Sequence, residues 1–191
     1  MKLYTSLSLL AISAATISFS STAMAQQRLV PAQSEISFLT KQMGVPLDGH
    51  FRTFDAQISF DTTKPETAKI AFTVDTASAT LGAPESDAEM PKVPWFNVPK
   101  FPQATFQSSG VRSLGGGKFQ IAGKLTIKGN AKDVDIPVTL TQANGLTTAV
   151  GQFAIKRLAF NIGEGEWADT SIVANEVQVK FKLAIAGMGK L

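Results

Sequence analysis

The segment Phe119-Gln120-Ile121-Ala122-Gly123-Lys124-Leu125-Thr126-Ile127-Lys128 sets Phe119, Ile121, Leu125 and Ile127 on one side, and Gln120, Lys124, Thr126 and Lys128 on the other. Successive side chains leave opposite faces of a strand, so this period gives an extended chain one dry face and one wet one. The rhythm recurs in residues 34–42 (Ile36, Phe38), 50–61 (Phe51, Phe54, Ile58, Phe60), 68–75 (Ile70, Phe72, Val74) and 103–111 around Phe106. It continues through 118–128, 133–141 (Val134 to Leu140), 147–157 (Val150, Phe153, Ile155) and 175–186 (Val177 to Ile185). Eight strands are predicted, and the change of phase between Phe51 and Phe54 predicts a bulge or bend in the second.

Gly115-Gly116-Gly117 and Asn144-Gly145 are tight-turn signals, whereas Gly44, Pro46 and Asp48-Gly49 mark a longer connection. Eight antiparallel strands suit a closed barrel or a two-sheet sandwich, and closure removes the edges that a long apolar strand at 176–185 would otherwise expose. The fold class expected is therefore all-β, with an eight-stranded antiparallel barrel preferred. Residues 76–102 break the rhythm with Pro84, Pro91, Pro94, Pro99 and Pro102. This connection is predicted to hold a short helix near 85–90 and to pack Trp95 and Phe96 as a lid or plug.

Lys2, the apolar run from Leu7 to Phe19 and the small-x-small Ala23-Met24-Ala25 read as a cleaved export signal over residues 1–25. Residues 26–191 then suffice for one domain, expected in the periplasm or outside the cell. Cysteine is absent, so stability must come from the core rather than from disulfides. The formal net charge is +3, but Lys and Asp interleave, as in Lys132-Asp133-Val134-Asp135, and no nucleic-acid footprint forms.

His50 is the only histidine. Without cysteine the chain lacks the material for a His/Cys metal site, and no Gly-x-Ser-x-Gly elbow accompanies His50, so no catalytic residue, metal or cofactor is expected. Glu85, Asp87 and Glu89, and Glu164, Glu166 and Asp169, offer paired carboxylates without calcium-loop spacing and read as solvated loop charge. Arg157, at the end of an apolar strand, reads either as a mouth residue for a polar head group or as a structural arginine. Trp95 and Trp167 read equally as ligand gates or loop anchors.

Several segments together resemble the YceI-like family of lipid- and polyisoprenoid-binding periplasmic proteins. They are Ser34-Glu35-Ile36-Ser37-Phe38, Gly49-His50-Phe51-Arg52-Thr53-Phe54, Trp95-Phe96-Asn97-Val98, Phe101-Pro102-Gln103-Ala104-Thr105-Phe106, Gly123 to Gly129 and Arg157-Leu158-Ala159-Phe160. Asn161 departs from the glycine usual after that last motif. The resemblance implies an extended lipocalin-like barrel around a long apolar chain, and homodimers; transient membrane contact is compatible with it.

The function expected is a non-enzymatic carrier for a long-chain lipid: a polyisoprenoid, a quinone-like molecule, or a fatty amide or acid. Phenylalanine, thirteen residues against one tyrosine, offers contact area and nothing to hydrogen-bond. The lining is expected from Ile36, Phe38, Phe54, Ile58, Phe60, Phe72, Phe106, Phe119, Ile121, Leu125, Phe153 and Ile155, with Arg157 and His50 at the mouth. The same side chains could instead fill a solid core, as in a structural or stress protein acting through a protein partner. A lipid-modifying enzyme is the third reading.

Overall fold

Each strand with a dry face must bury it and satisfy both backbone edges, and a ring of strands does both at once. The computed structural model describes residues 26–191; the expected export signal lies outside the described residues. Eleven strands form one antiparallel sheet: β1 (Arg28–Leu29), β2 (Glu35–Gln42), β3 (Val45–Phe51), β4 (Phe54–Ser59), β5 (Lys69–Asp75), β6 (Ala79–Thr80), β7 (Gln103–Gly115), β8 (Lys118–Ile127), β9 (Asn130–Ala143), β10 (Leu146–Lys156) and β11 (Glu176–Ala186).

Three pairs of these are single staves, interrupted. β1 and β2 both lie against β11, with the 3₁₀ turn Pro31–Gln33 looped out between Leu29↔Ile185 and Glu35↔Lys182. β3 and β4 run on across the bend at Arg52-Thr53, and β5 and β6 across the 3₁₀ turn Thr76–Ser78. The two interruptions face each other: Arg52 N–H donates to Ser78 O at 3.2 Å, and Asp75 N–H to Thr53 O at 3.0 Å. Counted as staves, the ring is the expected eight-stranded barrel, closed by β11 against the first stave.

The bend realigns the dry face. Phe51 and Phe54 would point to opposite sides of a straight strand, and the two residues between them let both turn inward. The second stave begins earlier than expected, since 45–51 is strand, and the connection reduces to the hairpin Met43-Gly44, with φ of 50° and 79°. Lys128-Gly129 and Asn144-Gly145 make the same left-handed two-residue turns. The proline-rich connection contains the expected short helix, α1 (Pro84–Glu89).

The ends of the barrel differ. One carries the short hairpins at 115–118 and 143–146 and packs Leu29, Phe60, Phe119, Leu140 and Ile185 in the buried cluster, with Phe60 and Phe119 edge to face at 5.1 Å. At the other, the connections 81–102 and 157–175 form a cap over a second cluster, which includes Met90, Phe96, Ile127, Phe160 and Ile162.

Candidate lipid-binding cavity

Inside the staves lies a cavity of about 320 Å³. A packed protein interior leaves few voids larger than a water molecule, whereas ligand pockets run from roughly 300 to 1,000 Å³. The barrel is therefore hollow. Many inward-facing side chains, Ile58, Phe72, Phe106, Phe153 and Phe181 among them, are only half-buried although they belong to the core cluster.

Three glycines keep the bore open. Gly49, Gly123 and Gly151 occupy inward positions, and each carries a phenylalanine ring laid against the wall. A Cβ there would fall 2.2 Å from Phe38 Cζ, 2.4 Å from Phe106 Cζ and 2.3 Å from Phe181 Cζ. Any larger residue would drive the ring toward the axis, because non-bonded carbons settle near 3.5–4.0 Å.

Of the twelve side chains expected inside, the structure gathers Ile36, Phe38, Ile58, Phe60, Phe72, Phe106, Phe119, Ile121, Leu125, Phe153 and Ile155 around this space. Phe54 is the exception. It packs half-buried against the core cluster beside the bend and is not part of the cavity wall. Val177, Val179, Phe181, Leu183 and Ile185 on β11 also line the cavity. Their alternation was readable, and only the omission of the last strand from the expected lining hid them.

Of the two mouth candidates, His50 lies away from the cavity, and Arg157 borders it with no donor to spare. His50 is exposed and pairs across the sheet with Ser37 and Thr80, on the outward face, because Gly49 and Phe51 take the inward positions beside it. Arg157 borders the cavity at the cap but is only 2% exposed, and every one of its donors is already committed to main chain. Nε donates to Ala174 O, one terminal nitrogen to Ile162 O and Gly163 O, and the other to Trp167 O and Val173 O, at 2.6–3.1 Å. Burial lowers its pKa from the ordinary guanidinium value. It is a structural arginine that folds residues 162–174 around itself, with no N–H left for a head group. Asn161, where glycine was usual, sits at φ 56°, in the left-handed region that asparagine tolerates.

Lys128 reverses an expectation as well. Its strand phase put it on the wet face, yet it occupies a hairpin turn and is 6% exposed. The ammonium donates to Val93 O, Asn161 O and Glu164 Oε2 at 2.6–2.7 Å, joining the two cap connections.

The acidic groups form no joint site. Glu164 belongs to Lys128; Asp169 accepts from the Ser171 hydroxyl and N–H, which lower its pKa in that order. Asp87 accepts from the Thr80 hydroxyl and the Leu81 N–H, which hold its carboxyl below the usual range and tie α1 to β6. Among the described residues no group of three or more His, Cys, Asp and Glu gathers to hold a metal.

Polar lining is confined to the capped end, where Thr40, Gln42, Ser86 and Glu89 join Trp95 and Trp167, whose rings lie 5.5 Å apart. The remaining length is hydrocarbon. The cavity is amphipathic along its axis: a dry sleeve with a polar collar.

Residues 27–185 match the family model described as the YceI-like domain. A crystal structure of Burkholderia cenocepacia BcnA is 46% identical with a TM-score of 0.79, covering 82% of this chain and 98% of that one. A polyisoprenoid binding domain from Saccharophagus degradans, implicated in plant cell wall breakdown, has a TM-score of 0.67 at 13% identity, covering 84% of this chain and 98% of that one; it shows likeness of fold alone. Among curated relatives, a UPF0312 protein of Azotobacter vinelandii is 39% identical over 102 residues, 53% of either chain. One from Ectopseudomonas mendocina is 36% identical over 118 residues, 60% of this chain and 62% of that protein. The chain thus spans little more than half the length of the curated relatives it matches.

Proposed function

The chain belongs to the YceI-like family, and from that premise we propose that it is an exported, non-catalytic carrier that encloses the tail of a long-chain apolar lipid within its barrel. The observation that carries this reading is the axial division of the cavity, apolar along the sleeve and polar only at the collar. Such a cavity complements a molecule that is long, greasy and polar at one end.

The driving force is solvent exclusion. At about 0.8 kcal/mol per buried CH₂, enclosing two isoprene units contributes several kcal/mol before the ordering costs of association. Affinity therefore depends first on tail length. The eleven gathered side chains, with the inward face of β11, supply the contact area. A polyisoprenoid or quinone-like lipid, or a fatty amide or acid, meets the requirement. The name of the Saccharophagus domain supports the first. A periplasmic location, transient contact with a membrane during loading, and dimerisation belong to the same proposal.

Native mass spectrometry of the purified protein, followed by solvent extraction, tests it. One co-purifying long-chain lipid in stoichiometric amount is expected. Protein that is repeatedly empty and refuses long-chain lipids overturns the reading.

A further inference from the structure

One seam of the barrel wall stops short. β9 and β10 pair from Leu146↔Ala143 to Gly151↔Val138, and beyond that rung both run on toward the cap unpaired with each other, as residues 131–137 and 152–156. Each lip is laddered on its other side, β9 to β8 as far as Ile127↔Asn130 and β10 to β11 as far as Lys156↔Glu176. On β10 the unpaired stretch is about 17 Å long at the rise of an antiparallel strand.

Proline sets where the ladder ends. Pro137 has no N–H, and its carbonyl faces this seam, since a Cβ on Gly151 would fall 2.6 Å from Pro137 O. A residue in an antiparallel pair sends its N–H and C=O to the same neighbour, so the absent donor belongs to the first missing rung, Pro137 against Gln152. The slit gives onto the cavity, which Ile136 lines from one lip and Phe153 and Ile155 from the other. Lys132 pairs with the cavity residue Leu125 and shares its inward phase, yet it is exposed. Water reaches that phase where no strand pairs beside it.

Other ways into the barrel meet more resistance. In the cap, Arg157 holds five carbonyls and Lys128 three further oxygens, and at the opposite end Leu29, Phe119 and Ile185 are buried. The β8–β9 and β10–β11 ribbons can turn about the rung Gly151↔Val138 with both their ladders intact. A pin at the top of the slit limits the spread: Asn130 Nδ2 donates to Phe160 O at 3.3 Å, and the Lys128 ammonium to Asn161 O at 2.7 Å.

We propose that this slit is a lateral doorway, through which an apolar tail enters and leaves the barrel sideways as the two ribbons part. The proposal rests on the carrier reading and goes beyond it by assigning the route.

The chain has no cysteine, so an engineered pair of thiols stands alone. Asp135→Cys with Ala154→Cys puts one thiol on the outward face of each lip, and Thr139→Cys with Val150→Cys does so across the paired stretch. Each pair is bridged with a short bis-maleimide. Transfer of a radiolabelled C20 prenyl alcohol from and to phosphatidylcholine vesicles is then timed, with the unbridged variants as folding controls. The 135/154 bridge is expected to slow uptake and release together by about tenfold or more, leaving their ratio within about twofold, because a gate alters the passage and not its two ends. The 139/150 bridge should leave both rates within about twofold. Nitroxides on the same pairs should give a broader distance distribution at 135/154 than at 139/150. Rates untouched by the 135/154 bridge overturn the doorway, as do equal slowing by both bridges, a change confined to one rate, or distance distributions of equal width. Failure of the unaltered protein to take up the alcohol at all would instead remove the carrier reading beneath it.

Discussion

Replacing Arg157 by methionine keeps a long side chain of similar reach and deletes the guanidinium. Five carbonyls, those of Ile162, Gly163, Trp167, Val173 and Ala174, then lose their donors. At about 1.5–3 kcal/mol for each hydrogen bond to a charged group, a simple sum would exceed much of the 5–15 kcal/mol that stabilises a typical domain. That sum overshoots, because residues 162–174 form a connection at the barrel end and can open to water, and because removing the charge also removes its desolvation cost. With two of the five carbonyls left buried and unpaired at about 1–3 kcal/mol each, the net cost is about 2–6 kcal/mol, which in a domain of this size lowers Tm by roughly 4–24 °C.

The assay is thermal unfolding followed by circular dichroism, with hydrogen exchange to locate the damage. Loss of stability together with lost protection at 162–174, while the amides of β7 to β10 stay protected, is expected. Arg157→Lys should fall between, since an ammonium supplies at most three of the five donors from a single point. If Arg157→Met melts with the unaltered protein and loses only lipid affinity, the guanidinium contacts the ligand and the structural account is wrong.

Gly49→Ala should push the Phe38 ring into the bore, costing about 1–3 kcal/mol of stability and weakening lipid binding. Adding Phe38→Leu should restore much of both, and an unchanged affinity in the single variant would remove the glycine's role as a spacer. Lys128→Met removes the side-chain tie between Val93 and the pair Asn161 and Glu164, leaving the Gly163 and Glu164 N–H bonds to Pro94 O, and should cost about 1–3 kcal/mol. Lipid exchange between protein and vesicles should also quicken, and equal exchange rates would show that the cap does not gate the cavity. The Asp87 carboxyl is held below its ordinary range, so its contribution to stability is present above the unfolded value and lost as pH falls through the lower folded one. Acid below about pH 4 should loosen α1 and speed lipid exchange. Asp87→Asn should flatten that acid step, and a step unchanged in the variant would assign it to another group.

Period-2 patterning placed the eight staves because alternation is local: a residue two positions along shares a face whatever the rest of the chain does. The same rule placed eleven lining side chains, and the shift between Phe51 and Phe54 signalled the bend that turns both inward. It misassigned Lys128, which satisfies the alternation but sits in a turn, where a hairpin rather than a strand aims the side chain. Trp95 carried no periodic signal, and Arg157, in phase with Phe153 and Ile155, carried one that gave its face but not its partners. Their roles depend on which groups the cap connections bring near them.

What the amino-acid sequence determined alone is therefore the dry face of each strand and the near-absence of hydrogen-bonding groups on it. Whether those faces interlock or stand apart was a tertiary decision. The bore depends on the number of staves in the ring and on rings packed against glycines of the neighbouring strand, Phe38 on Gly49 and Phe181 on Gly151, contacts that only the register of the paired strands sets.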